Sequence, residues 1–124
     1  MGAKQRFALG KAMPCPYVHS AISITNMDTR EEATRLLAEA KEDLDRAMRY
    51  SGLKDWVTVI HYSQLAIEKS AKAVISCFES FEWTHDPSEQ LNKLVRKGHL
   101  QNGFLKVASY AKQAAPWHGR STYG

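Results

Sequence analysis

The sequence predicts an all-α protein, an antiparallel up-and-down bundle of four to five helices. Three observations carry that expectation. Apolar residues recur at spacings of three and four through most of residues 28–115, the period of a helix laid on a core. Breakers such as Gly52, Pro87, Gly98 and Pro116 fall between those stretches and not inside them. No two alternating apolar runs are joined by turn residues, so no strand pair is expected. At 124 residues the chain has the length of one domain, and 44% apolar with 24% charged residues is an ordinary globular composition.

Residues 1–27 carry Gly2, Gly10, Pro14 and Pro16 without a sustained period, and read as a flexible N-terminal arm; within it 17–25 could be extended. The first helix is expected to begin at Asp28 or Thr29. Thr29-Arg30-Glu31-Glu32 fits a capping box, in which the hydroxyl and the carboxylate satisfy free backbone N–H groups. Ala33, Leu36, Leu37, Ala40, Leu44, Ala47 and Met48 make its apolar stripe, and Ser51-Gly52 ends it. Its other face, from Glu31 and Arg35 to Asp43 and Arg49, reads as solvated.

The second helix is expected from Asp55 to Phe81. Trp56, Ile60, Ile67, Ala71, Val74 and Phe78 lie on one side, and the apolar arc is wide enough for a central helix covered by neighbours or by a second subunit. A loop follows over 82–87. Asp86 and Pro87 are well placed to cap and open a third helix with Leu91, Leu94 and Val95 inward, stopped by Gly98. A fourth helix covers about 100–115, and 117–124 reads as a loop.

The net charge of +4 is polarised. Residues 1–27 carry three basic groups and no acid; residues 28–90 carry 8 basic and 13 acidic groups; residues 91–124 carry six basic groups, from Lys93 to Arg120, and no acid. Contact with phosphate is therefore expected in the last third. The same block could instead meet an acidic protein surface. Cys15 and Cys77 form no metal or redox motif, and Cys77 reads as a buried small hydrophobe. No run is apolar and long enough to cross a bilayer, no secretory core is present, and Arg6 stands where a myristoylation signal needs Ser or Thr. A cytoplasmic location, no cofactor and no metal are the expectations.

Three features carry candidate chemistry. On the second helix His61, Gln64, Glu68, Lys69 and Lys72 share a narrow polar face, either a solvated stripe or a patch beside a groove between subunits. Thr84-His85-Asp86 reads as a capped loop, or as one that brings His85 to a phosphate. Lys112 with Trp117-His118-Gly119-Arg120 could grip a phosphate and stack on a base. The expected ligand-binding residues are Lys112, Arg120, His85 and Lys72, with His118 as the candidate acid/base.

The second helix also carries a recognisable phrase. Trp56, then Gln64, Ala66, Glu68, Lys69, Lys72 and Ala73, and Thr84-His85 in the next loop, resemble the central helix and following loop of the HEPN family (higher eukaryotes and prokaryotes nucleotide-binding domain). The likeness is to its small stand-alone prokaryotic or archaeal type and covers roughly residues 28–124. It implies a helical bundle that commonly forms a homodimer and binds nucleotide or RNA. It also implies either a metal-independent ribonuclease with an Arg and a His separated by four to six residues, or a subunit paired with a minimal nucleotidyltransferase in a toxin–antitoxin module. A non-catalytic assembly subunit is a further reading. In this sequence Arg120 has no His after it, Arg96 precedes His99 too closely, and Lys112 to His118 has the spacing with Lys in place of Arg, so an intact ribonuclease motif is not expected.

Overall fold

The computed structural model describes residues 23–119, and side chains from Thr29 onward. Four helices run in the order α1 (Ser23–Gly52), α2 (Trp56–Ser76), α3 (Ser88–Arg96) and α4 (Phe104–Ala114). A short further helical turn begins at 117–119, where a loop was expected; the His118 N–H donates to the Ala115 carbonyl at 3.1 Å. No strand occurs among the described residues.

Helix α1 starts at Ser23 and so runs through the expected capping box and through 23–25, where extended chain was the expectation. A capping residue ends a helix only if the chain upstream leaves it. No Gly or Pro lies between Pro16 and Gly52, so nothing forces the break at Thr29. The arm therefore does not stop at an element boundary near residue 27; residues 1–22 lie outside the described residues, Cys15 among them.

A tight turn joins α1 to α2, and Asp55 caps α2 by accepting from the Thr58 N–H at 3.3 Å and the Thr58 hydroxyl at 2.7 Å. α2 ends at Ser76, five residues before Phe81. Its last turn tightens: the Cys77 N–H donates to Val74 and the Phe78 N–H to Ile75, each across three residues, and the Glu79 N–H shares the Ile75 carbonyl. Buried Gln90 of α3 then fixes the departing chain. Its amide donates to the Ser80 carbonyl at 2.9 Å and to Glu79 at 2.6 Å, while its oxygen accepts from the Glu82 N–H at 2.9 Å. Pro87 occupies the cap position of α3, and Asp86 Oδ1 accepts from the Ser88 N–H at 3.0 Å, one residue along from the expected pairing. Gly98, with φ +83°, ends α3 in the left-handed region that favours glycine.

α2 is the central element, touching α1, α3 and α4. Ala71, Ile75, Leu91, Leu94, Ala108 and Ala111 form the sealed core, with Ile67, Val74, Phe78 and Phe81 packed against it; Cys77 is buried beside them. α3 and α4 cover only part of α2, so Trp56 at its start is 57% exposed, and Val57 and Ile60 are also uncovered; this is the side that the expectation leaves to a second subunit. One expectation needs correction. On α1 the charged face is not wholly solvated: Asp43 is buried, bonded by Arg46 at 3.0 Å and by Lys69 of α2 at 2.9 Å. Lys69 also reaches Glu39 at 3.3 Å, so part of the helix-two polar face is an ion-paired seam between α1 and α2.

Candidate functional site

Successive residues four apart on a helix drift only slowly round its axis, so Gln64, Glu68 and Lys72 form one ridge. That ridge is interior: all three are buried, against the expectation of a solvated stripe. Buried polar groups need partners, and these supply one another. Gln64 Nε2 donates to Glu68 Oε1 at 2.7 Å, and Lys72 Nζ donates to Glu68 Oε2 at 2.8 Å. The ammonium also sits 4.9 Å from the centre of the Phe81 ring, a cation–π contact.

Two histidines from distant parts of the chain lie on this ridge. Thr84 Oγ1 accepts from the Asp86 N–H at 3.1 Å and shapes the loop that presents His85, whose Nδ1 lies 3.3 and 3.4 Å from the two Glu68 oxygens. The turn after α4 brings His118 Nδ1 to 3.1 Å from Gln64 Oε1. The two imidazoles stack, with centroids 3.6 Å apart and planes 18° from parallel. Their tautomers follow from their partners. An ionised carboxylate and an amide oxygen can only accept, so both Nδ1 atoms carry the proton, and Nε2 of each ring is where a proton is gained or lost.

The electrostatics follow from the same contacts. Burial pushes the Glu68 carboxyl up, but the Lys72 and Gln64 bonds, the Lys72 charge and His85 outweigh it and hold it below the usual carboxylate range. Burial, followed by the repulsion of neighbouring His85, holds His118 below the usual imidazole value, with Glu68 opposing. Two stacked rings cannot both charge cheaply, which disfavours the charged form of His118.

Of the expected site residues, His118, His85 and Lys72 come together here. Lys72 enters as the internal counter-ion of Glu68, not as an open cation. Lys112 is exposed in the last turn of α4, outside this network of hydrogen bonds, and Arg120 lies outside the described residues. His61 makes an edge contact with the Tyr62 ring at 5.0 Å. Gln64 and Glu68 are site residues that the expected ligand-binding set omitted; their spacing with Lys72 was the available signal. Glu68, His85 and His118 each offer a metal-ligand atom, all within 4.8 Å of one another. An ion there would compete with the Gln64 amide and the Lys72 ammonium, which already hold the two Glu68 oxygens.

The family model for the HEPN domain matches residues 33–120. The chain belongs to the HEPN family. The match spans all of the ridge and both histidines, and the all-α bundle is the fold of that family. No curated protein and no solved structure shows a significant match. Among the described residues, no helix of this HEPN protein is long and apolar enough to cross a membrane.

Proposed function

We propose that this HEPN protein binds a phosphate group of a nucleotide or RNA at the His85–His118 pair. The stacked imidazoles over a buried Gln64–Glu68–Lys72 ridge carry the reading. Burying an ion pair and stacking two titratable rings on it does little for stability, whereas perturbed ionisable groups gathered at a surface are a mark of function. Both Nδ1–H groups are already engaged inward, so an arriving phosphate meets the two Nε2 positions. Protonation there turns each into a charge-assisted donor to a phosphate oxygen. Binding therefore takes up protons, and the acid-free segment 91–124 supplies long-range attraction. The test is calorimetric titration with AMP at two pH values. Affinity should rise from pH 7.5 to pH 6 and fall at least tenfold in His118→Ala; pH-independent binding unaffected by that change would refute the reading.

A ribonuclease is the second reading, favoured by His118 being held neutral beside a second imidazole. A neutral ring could take the 2′-hydroxyl proton as that oxygen attacks phosphorus, and a protonated one could give its proton to the departing 5′-oxygen, leaving a cyclic phosphate. Metal-independent RNA cleavage that is lost in both His85→Ala and His118→Ala would establish it.

A homodimer fits the uncovered apolar tip of the α1–α2 hairpin, where Leu44, Met48, Leu53, Trp56, Val57 and Ile60 are exposed. Exposed apolar surface of this kind suits an interface, and HEPN domains often dimerise. A minimal nucleotidyltransferase is the heterologous partner the family reading suggests; co-purification with one encoded by a neighbouring gene would support it. A cytoplasmic location accords with these readings.

A further inference from the structure

The ridge does not stop at Lys72. The same spacing of four continues to Ser76 and Ser80, which line a cavity of about 440 Å³ together with Phe81 and Trp83 of the following loop and Thr29 and Glu32 of α1. We propose that this cavity is a base subsite, taking the amino-bearing purine or pyrimidine ring of the nucleotide whose phosphate the histidine pair holds. The proposal rests on that phosphate reading.

Ser76 is fully buried, yet its hydroxyl has no hydrogen-bond partner among the described residues. A buried hydroxyl left unpaired is costly, and each instance in a folded protein calls for an explanation. The hydroxyl is closed to water, so a ring edge in the cavity satisfies it once the lining side chains give way. Trp83 is 94% exposed, the opposite of what its size and apolar surface favour. Its indole leans on Phe81, with centroids 5.7 Å apart and planes at 59°, and leaves a flat face for stacking. The Ser80 hydroxyl, and the Glu32 carboxylate through the lone pairs that its Arg35 partner leaves, supply acceptors for an exocyclic amine, which an aliphatic ligand would not use.

The two subsites are physically joined. Phe81 lines the cavity and also receives the Lys72 ammonium, which is bonded to Glu68, which holds His85. Trp83 and His85 are two residues apart on one loop, so their Cα atoms lie within about 7 Å. Along α2 the rise from Glu68 to Ser76 is about 12 Å, comparable to the length of a nucleoside monophosphate.

The experiment compares AMP with ribose 5-phosphate, which carries the phosphate and sugar but no base, by calorimetry on the full chain. Stacking on an aromatic ring contributes a factor of about ten to a hundred. The wild type should bind AMP at least tenfold tighter than ribose 5-phosphate. Trp83→Ala, a change at an exposed position that leaves the fold intact, should abolish that preference without altering ribose 5-phosphate affinity. His118→Ala should weaken both ligands by the same factor. Equal affinities in the wild type, or a preference that survives Trp83→Ala, would overturn the base subsite; if His118→Ala still weakened ribose 5-phosphate, the phosphate reading would stand. Failure of both ligands to bind the wild type would remove both.

Discussion

Glu68→Gln isolates the electrostatics of the ridge. The substitution keeps the side-chain shape and one acceptor oxygen but removes the charge opposite Lys72. Both side chains are about one-tenth exposed and their charged atoms are 2.8 Å apart, so the ammonium would be left buried without a counter-ion. Breaking one side of a buried pair costs about 3–5 kcal/mol, and retention of the amide oxygen favours the lower figure. For a domain of this size each kcal/mol shifts the melting temperature by about 4–8 °C, so about 3 kcal/mol lowers it by roughly 12–24 °C. Urea unfolding followed by circular dichroism gives the free energy directly. The double variant Glu68→Gln, Lys72→Met removes the stranded charge and should recover most of the loss. A single variant costing under about 1 kcal/mol, as solvent-exposed pairs do, would refute the buried ridge. So would a double variant no more stable than the single one.

Three further outcomes follow from named contacts. Asp43→Asn removes the charge that Lys69 and Arg46 share in the α1–α2 seam, and should cost about 2–3 kcal/mol by urea unfolding, less than a sealed pair because Arg46 and Lys69 still reach water. His118 has a lowered pKa in the folded state, so unfolded chains bind more protons just below the ordinary imidazole value of about 6.5; stability should decline as pH falls through that window, and His118→Gln should flatten it there. The lowered Glu68 pKa adds stability above the ordinary carboxylate range that is lost only at lower pH, as the carboxylate is protonated, so the two windows separate in a pH-dependent unfolding series. Trp56→Glu places a charge on the uncovered hairpin tip; it should leave monomer stability within about 0.5 kcal/mol while lowering the apparent mass on sizing. An unchanged elution position would exclude that tip as the dimer contact.

The helices were legible because their apolar period is long and their breakers are few, and α2 stood out through its width of apolar surface. Boundaries were less so. Thr29 has every local feature of a cap, yet capping chemistry stabilises a helix start only when the upstream chain turns away, and that is not a local property. The α2 terminus was set by Gln90, which lies on another helix. The site was half legible. His85 and His118 stand out in their loops and Lys72 on its helix, but nothing local reveals that they meet. A Gln–Glu–Lys stripe has the same pattern whether water or protein lies over it. What decides here is His118, 54 positions along from Gln64. The burial of Asp43 has no local signal for the same reason, since its partner Lys69 belongs to the next helix.

The central claim is that the ridge presents a stacked imidazole pair in which His118, held below the usual imidazole value, gains a proton at Nε2 when a phosphate arrives. NMR titration of the histidine ring signals, with and without saturating inorganic phosphate, measures it most directly. Without phosphate, the His118 signal should titrate below the ordinary imidazole value. With phosphate, the His118 transition should move to higher pH. A His118 titration curve that is the same with and without phosphate would contradict the account.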